Sequence, residues 1–247
     1  MVRLPLQLLT DAEFKQATWD YVQDTGAATT KWGDIGDWDT SGVGDFSHSL
    51  SKHRNQAGGT YVNNGNPKAV TFVGTAISKW DTASATTLDR TFYGASEMNV
   101  DLTGWKVGKV FTLYGTFRDA SKFIGTGLSS WDTASATALA LTFAGASEMN
   151  ADLTGWKVGK VDTLASTFNG ASKFSGTGLS SWDTASATTL YHTFYGASEM
   201  NADLTGWKVG KVVTLERTFY TAAKFIGTGL SSWDTASTTT LHSPRNR

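Results

Sequence analysis

The apolar positions of this chain recur on a fixed count. Trp stands at 80, 105, 131, 156, 182, 207 and 233, so its spacing alternates between 25 and 26 residues and gives a double repeat of 51. Counted from each Trp, Leu falls at plus 8 in every unit from Leu88 to Leu241, and Phe at plus 12 from Phe92 to Phe219. Ala follows at plus 15, and Met or Phe at plus 18. A unit this short cannot bury its apolar face alone and must stack on its neighbours. The pattern predicts one elongated domain with a continuous core.

Two shorter periods sit inside each unit. Leu128-Ser129-Ser130-Trp131-Asp132-Thr133 has the spacing of a short leucine-rich-repeat strand, as does Leu102 to Val107, and predicts a strand about each Trp. Val110, Leu113, Phe117, Ala120 and Phe123 step by three, four, three and three, which is helical periodicity. The expected fold class is therefore an α/β repeat, a leucine-rich-repeat-like solenoid of short parallel strands and short helical turns, stacked roughly 4.8 Å apart.

The flanks read differently. Thr10-Asp11-Ala12-Glu13 has the form of a capping box, with Leu9 and Phe14 placed for a hydrophobic staple, and predicts a helix over about residues 11–23 that closes the first end. Residues 1–32 are expected to be this capping helix and a small-residue linker at Gly26–Thr30, and 33–241 the repeats. From Trp38 to Trp80 is 42 residues, and the excess lies in the polar stretch 51–68, a predicted loop insertion. Residues 242–247 form a C-terminal tail in which Ser-Pro replaces the expected Thr-Phe. No second capping helix is expected, so the last turn is a place for a partner to cover.

Composition narrows the function classes. Twenty-one basic against twenty-two acidic residues leave a net charge of −1, which offers no global field to nucleic acid. There is no Cys, so neither a disulfide nor a thiolate metal site is expected. No apolar run is long enough to span a bilayer, and residues 1–9 are too short and too interrupted for a signal-peptide core. His48, His53, His192 and His242 form no ligand pattern. Asp37 to Asp45 superficially matches the start of a calcium loop, but His48 stands where the bidentate Glu belongs. No nucleophile elbow, phosphate loop or dinucleotide fingerprint is present. Every acid recurs with the repeat, whereas an active site needs a unique constellation. No cofactor, metal or catalytic residue is expected, and the chain reads as a non-enzyme.

Charge follows the repeat. Asp81, Lys106, Asp132, Lys157, Asp183, Lys208 and Asp234 each follow a Trp, and Glu97, Lys122, Glu148, Lys173, Glu199 and Lys224 stand at plus 17. On stacked turns such columns alternate in sign, so a slip of one unit would set like against like. Thr at plus 11 makes an unbroken column and Thr at plus 7 a nearly unbroken one. A flat Thr lattice would suit ice; a Thr bonding a carbonyl one turn back would be structural. Differences between units concentrate at plus 6, 9, 10 and 13, where Tyr93, Phe111, Tyr114, Tyr191, Tyr195 and Tyr220 stand. Exposed aromatic residues favour interfaces, which makes these six the candidate partner surface.

With Trp-Asp-Thr-Ser at 38–41, the Trp-Asp-Thr-Ala-Ser-Ala-Thr-Thr-Leu units and the Thr-Phe-x-x-Ala-Ser-x-Phe/Met-Asn segments in view, the chain resembles the BspA-like surface-protein family. The resemblance covers roughly residues 9–241. It departs from the family pattern in having Leu and Thr for two Met positions, and Trp-Lys-Val-Gly-Lys in alternate units. It implies a non-enzymatic surface or adhesion module, and a cell-surface or extracellular location. The expected function is a protein-interaction or structural module. The alternatives are an accessory subunit of a larger assembly, docked through the insertion and the last turn, and an ice-binding protein.

Overall fold

The structure, a computed structural model, describes residues 8–241. The chain opens with two helices, α1 (Asp11–Gln23) and α2 (Thr25–Trp32). The capping box closes as expected: Thr10 Oγ1 accepts from Glu13 N at 3.3 Å, and Glu13 Oε2 accepts from Thr10 N at 3.0 Å. Phe14 is fully buried, its ring 4.7 Å from Phe46 and 5.1 Å from Trp80. Helix α1 thus covers the apolar end of the first turns. The expected Gly26–Thr30 linker is instead the body of α2. Asp24 caps it by accepting from Ala27 N at 3.0 Å, and Gly33, at φ 77°, ends it. Ala and Thr satisfy a helix here without an apolar stripe, so periodicity gave no sign of it.

From Trp38 onward the backbone climbs turn upon turn around one core. Six indole pairs along the column, from Trp38 through Trp80 to Trp105 and from Trp131 through Trp156, Trp182 and Trp207 to Trp233, stack with centroids 6.0–6.4 Å apart and planes within 17°. From Trp80 onward each indole N–H also donates to a carbonyl of the preceding turn, as Trp156 Nε1 does to Leu128 O at 2.9 Å. The plus-12 Phe rings from Phe92 to Phe219 form a second column at 5.5–5.6 Å. Indole bonds and ring spacing both fix the register of one turn on the next.

The expected leucine-rich-repeat-like solenoid of short parallel strands and short helices is overturned. Among the described residues there is no extended strand; each turn meets the next through one isolated parallel bridge, such as Thr87↔Thr112 and Thr112↔Ala138. These bridges lie at plus 7 and not about the Trp. The segment predicted as helical is a run of turns.

The cause is visible in the hydrogen bonds. Leu88, Arg90, Phe92 and Gly94 donate their N–H groups to Thr112, Tyr114, Thr116 and Arg118 of the next turn, at 2.8–3.2 Å. The intervening Thr91, Tyr93 and Ala95 donate to carbonyls three residues back. Alternate amides thus point along the stack in one direction, which a helix cannot provide. A strand ladder also donates and accepts along each edge, whereas from plus 8 to plus 14 the cross-turn donors all go to the next turn, and donors to the preceding turn, such as Phe111 N to Thr86 O and Lys122 N to Ser96 O, lie outside that run.

Plus 10 is left-handed in each of the seven turns from His48 (φ 55°) to Arg217 (φ 48°), occupied mostly by residues other than Gly. That repeated reversal keeps the backbone from winding into a helix.

The plus-11 Thr residues are buried. Thr116 Oγ1 shares its one hydrogen between Leu113 O in its own turn and Leu88 O in the turn before, both at 2.9 Å. This column is therefore a set of internal staples and presents no lattice to ice. In alternate units the extra residue sits in Gly-Thr-Gly, followed by single 3-10 turns at Leu128–Ser130, Leu179–Ser181 and Leu230–Ser232. Residues 242–247, where the tail is expected, lie outside the described residues.

Candidate functional site

The skeleton described above uses the same residues in every turn. What varies lies on one outer face, and the structure divides it into two aromatic groups. Near the C-terminal end, Tyr191 stacks on His192 at 3.9 Å, His192 lies 5.0 Å from Tyr195, and Tyr195 stacks on Tyr220 at 5.2 Å. Tyr191 is exposed and the other two Tyr are half-buried. His192 Nε2 is buried with no hydrogen-bond partner, and burial holds the imidazole below its ordinary pKa.

Toward the N-terminus, Phe111 is 51% exposed and Tyr114 half-buried beneath the Arg90 guanidinium, 4.4 Å from its ring. Tyr93 is a correction: only 5% exposed, it is not a surface residue. His53 stacks on it at 4.2 Å and Arg118 lies 4.6 Å over its ring. The insertion is responsible, because it brings His53 and Tyr61 onto the plus-13 column, with Tyr61 in turn stacked 5.7 Å from His53. Tyr61, 48% exposed, takes the outward place expected of Tyr93. The insertion thus extends the variable face and does not form a separate site.

Sequence reasoning passed over a polar knot beneath this face. Arg54 is fully buried, and all five of its N–H groups meet oxygens. Nε donates to Asn55 O, Nη1 to Thr18 Oγ1 and Ser49 O, and Nη2 to Lys15 O and Gln56 O. No carboxylate is among these partners. Oxygens in the body of α1, at Ser49 and in the insertion carry the charge, so Arg54 ties helix and insertion together. Lys15, 5% exposed, reaches Asp45 at 3.2 Å and both oxygens of Ser47. Burial pulls its pKa down to about 8. His48 is buried and brought down to about 4 by burial and then by the Arg90, Lys15 and Arg54 charges. Asp89, 4.0 Å from His48 Nε2 and 3.1 Å from Arg90 Nη1, is raised by burial. Lone charged residues in a Gly- and Asn-rich stretch gave no signal of this arrangement.

The charge ladder at plus 1 faces solvent throughout. Lys157 pairs with Asp132 at 3.4 Å and Lys208 with Asp183 at 3.2 Å, each Lys reaching to the preceding turn. At plus 17, Lys224 pairs with Glu199. Exposed pairs of this kind contribute about 0–1 kcal/mol each, so they specify register more than they stabilise. Around the suggested calcium loop, Asp39 is engaged by Ser41 and Asp45 by Lys15 and Ser47. Among the described residues no three His, Asp or Glu side chains converge to hold a metal, and no helix is long and apolar enough to cross a membrane.

No curated protein and no solved structure matches the chain. A family model described as "Mycoplasma protein of unknown function, DUF285" matches it twice, over residues 22–156 and 137–244. These two overlapping matches span all the stacked turns, and the chain belongs to that family.

Proposed function

We propose that this chain is a non-enzymatic interaction module that recognises a protein partner through its variable outer face. The observation that carries the reading is the division of labour within each turn. From the Trp80 turn to the Trp207 turn, Trp, Leu, Phe and the plus-11 Thr are constant and buried, while plus 6, 9, 10 and 13 differ from turn to turn and carry partly exposed aromatic rings. Aromatic residues on a rigid frame give contact area at small entropic cost. The resemblance to BspA-like surface proteins supports the same reading and a place at the cell surface. Because the insertion joins the face through Tyr61, a partner that docks on the insertion meets the same surface.

The test is affinity capture with mass spectrometry, comparing the native chain with a variant in which Tyr114, Tyr191 and Tyr195 become Ser. The proposal expects specific partners to be lost from the variant. Identical partner sets from both chains would remove it.

A further inference from the structure

Beside the N-terminal aromatic group runs an open groove of about 530 Å³, whose lining brings Asp45, Asp89 and Arg90 together with Phe111, Thr112 and Tyr114. Its charges are matched from within, since Asp45 is met by Lys15 at 3.2 Å and Asp89 by Arg90 at 3.1 Å. No net charge is left over to draw in an ion. What the groove offers is paired donors and acceptors, because a carboxylate has four lone-pair sites and a guanidinium five N–H groups, of which these contacts use a part. Next to them stands Phe111, half exposed, with no ring stacked on it among the described residues.

Backbone pairing is closed to a ligand here. The amides of Leu88 and Arg90 already bond the next turn at 3.2 and 2.8 Å, so an extended peptide finds no free edge to join. A polyhydroxylated ring satisfies each of these features. Its vicinal hydroxyls span adjacent carboxylate and guanidinium atoms, and its apolar C–H face lies on an aromatic ring.

We propose that this groove binds a pyranose residue of a neutral glycan, with Asp45, Asp89 and Arg90 bonding its hydroxyls and Phe111 beneath its C–H face. The proposal rests on the reading of the variable face as a recognition surface, and it adds a glycan to the protein contacts made elsewhere on that face. Free polysaccharide and protein-borne glycan present the same chemistry.

The experiment is a ¹H–¹⁵N spectral titration of the full chain. Its probes are methyl α-glucopyranoside, methyl β-galactopyranoside, N-acetylglucosamine and N-acetylarginine amide, each taken to about 50 mM to reveal millimolar binding. Saturable shifts confined to Thr87–Tyr114 with at least one sugar are expected. Phe111→Ala is expected to weaken that binding about tenfold, and Asp89→Asn to weaken it while the Trp signals stay unchanged. Immobilised chain offered a soluble glucan and an N-glycosylated protein then identifies the source, by retention of one over the other. No shift with any sugar, shifts that survive Phe111→Ala, or shifts with N-acetylarginine amide alone would each overturn the proposal. Loss of partners from the Tyr114, Tyr191 and Tyr195 variant despite that result would leave the protein-binding reading standing.

Discussion

Single residues in this molecule do work that their chemistry alone would not announce. Thr116 joins two turns with one hydroxyl, and Thr116→Val keeps the shape while removing both bonds. Thermal denaturation should show a loss of about 1–2 kcal/mol, whereas Thr137→Val, at an exposed position on the same stack, should change little. Arg54→Met would strand the carbonyls of Lys15, Ser49 and Gln56. A loss of about 3 kcal/mol or more, with faster amide exchange along α1, is expected; a smaller loss with α1 still protected would show that the helix docks without it. His48 sets a pH dependence. Its folded pKa near 4 lies below the ordinary 6.5, so between these values the unfolded chain binds more protons and stability falls as pH falls. The full effect is about 3 kcal/mol, opposed in part by Asp89, whose raised pKa works in the other direction. Denaturant titrations from pH 7 to pH 4 should show that decline, and His48→Gln should flatten it.

At the level of the element, the sequence revealed the columns and concealed the backbone. Identical residues at identical offsets have to meet the same surroundings, so Trp, Leu and Phe could be placed in the core by counting. The path between them could not. A spacing of three, four, three and three suits a helix, and it equally suits a run of turns in which plus 10 is left-handed. That conformation is carried here by Arg90, Leu141, Ser166 and His192, none of which announces it as Gly would. Tyr93 was misplaced for a related reason: the insertion that covers it is irregular, and no periodic argument reaches such a segment. The Gly-Thr-Gly loops were legible, and the structure supplies the cause. A Cβ at Gly127 would lie 2.1 Å from Thr103 N, and the residue sits at φ 92°. Gly127→Ala should cost about 2–3 kcal/mol by thermal denaturation; a neutral result would mean that the loop and its neighbouring turn shift freely.

Across the whole molecule, order along the stack and variety on its outer face are separable properties. Rings of adjacent turns touch from Trp38 to Trp233, so each turn is held by its neighbours, while the charge columns penalise a slipped register without adding much stability. The candidate surface was only half legible. Variation between units picked out positions that are exposed or half-buried at Phe111, Tyr114, Tyr191, Tyr195 and Tyr220, but the extension of the face through Tyr61, its polar groove and the buried knot below it depend on contacts between segments that no offset links. A face that serves recognition carries little structural duty. Thermal denaturation of the Tyr114, Tyr191 and Tyr195 to Ser variant beside the native chain tests it most directly. A midpoint within about 8 °C of the native value is expected, since the exposed Tyr191 and the half-buried Tyr114 and Tyr195 rings together contribute roughly 2–3 kcal/mol; a drop well beyond that would show these rings holding the fold together.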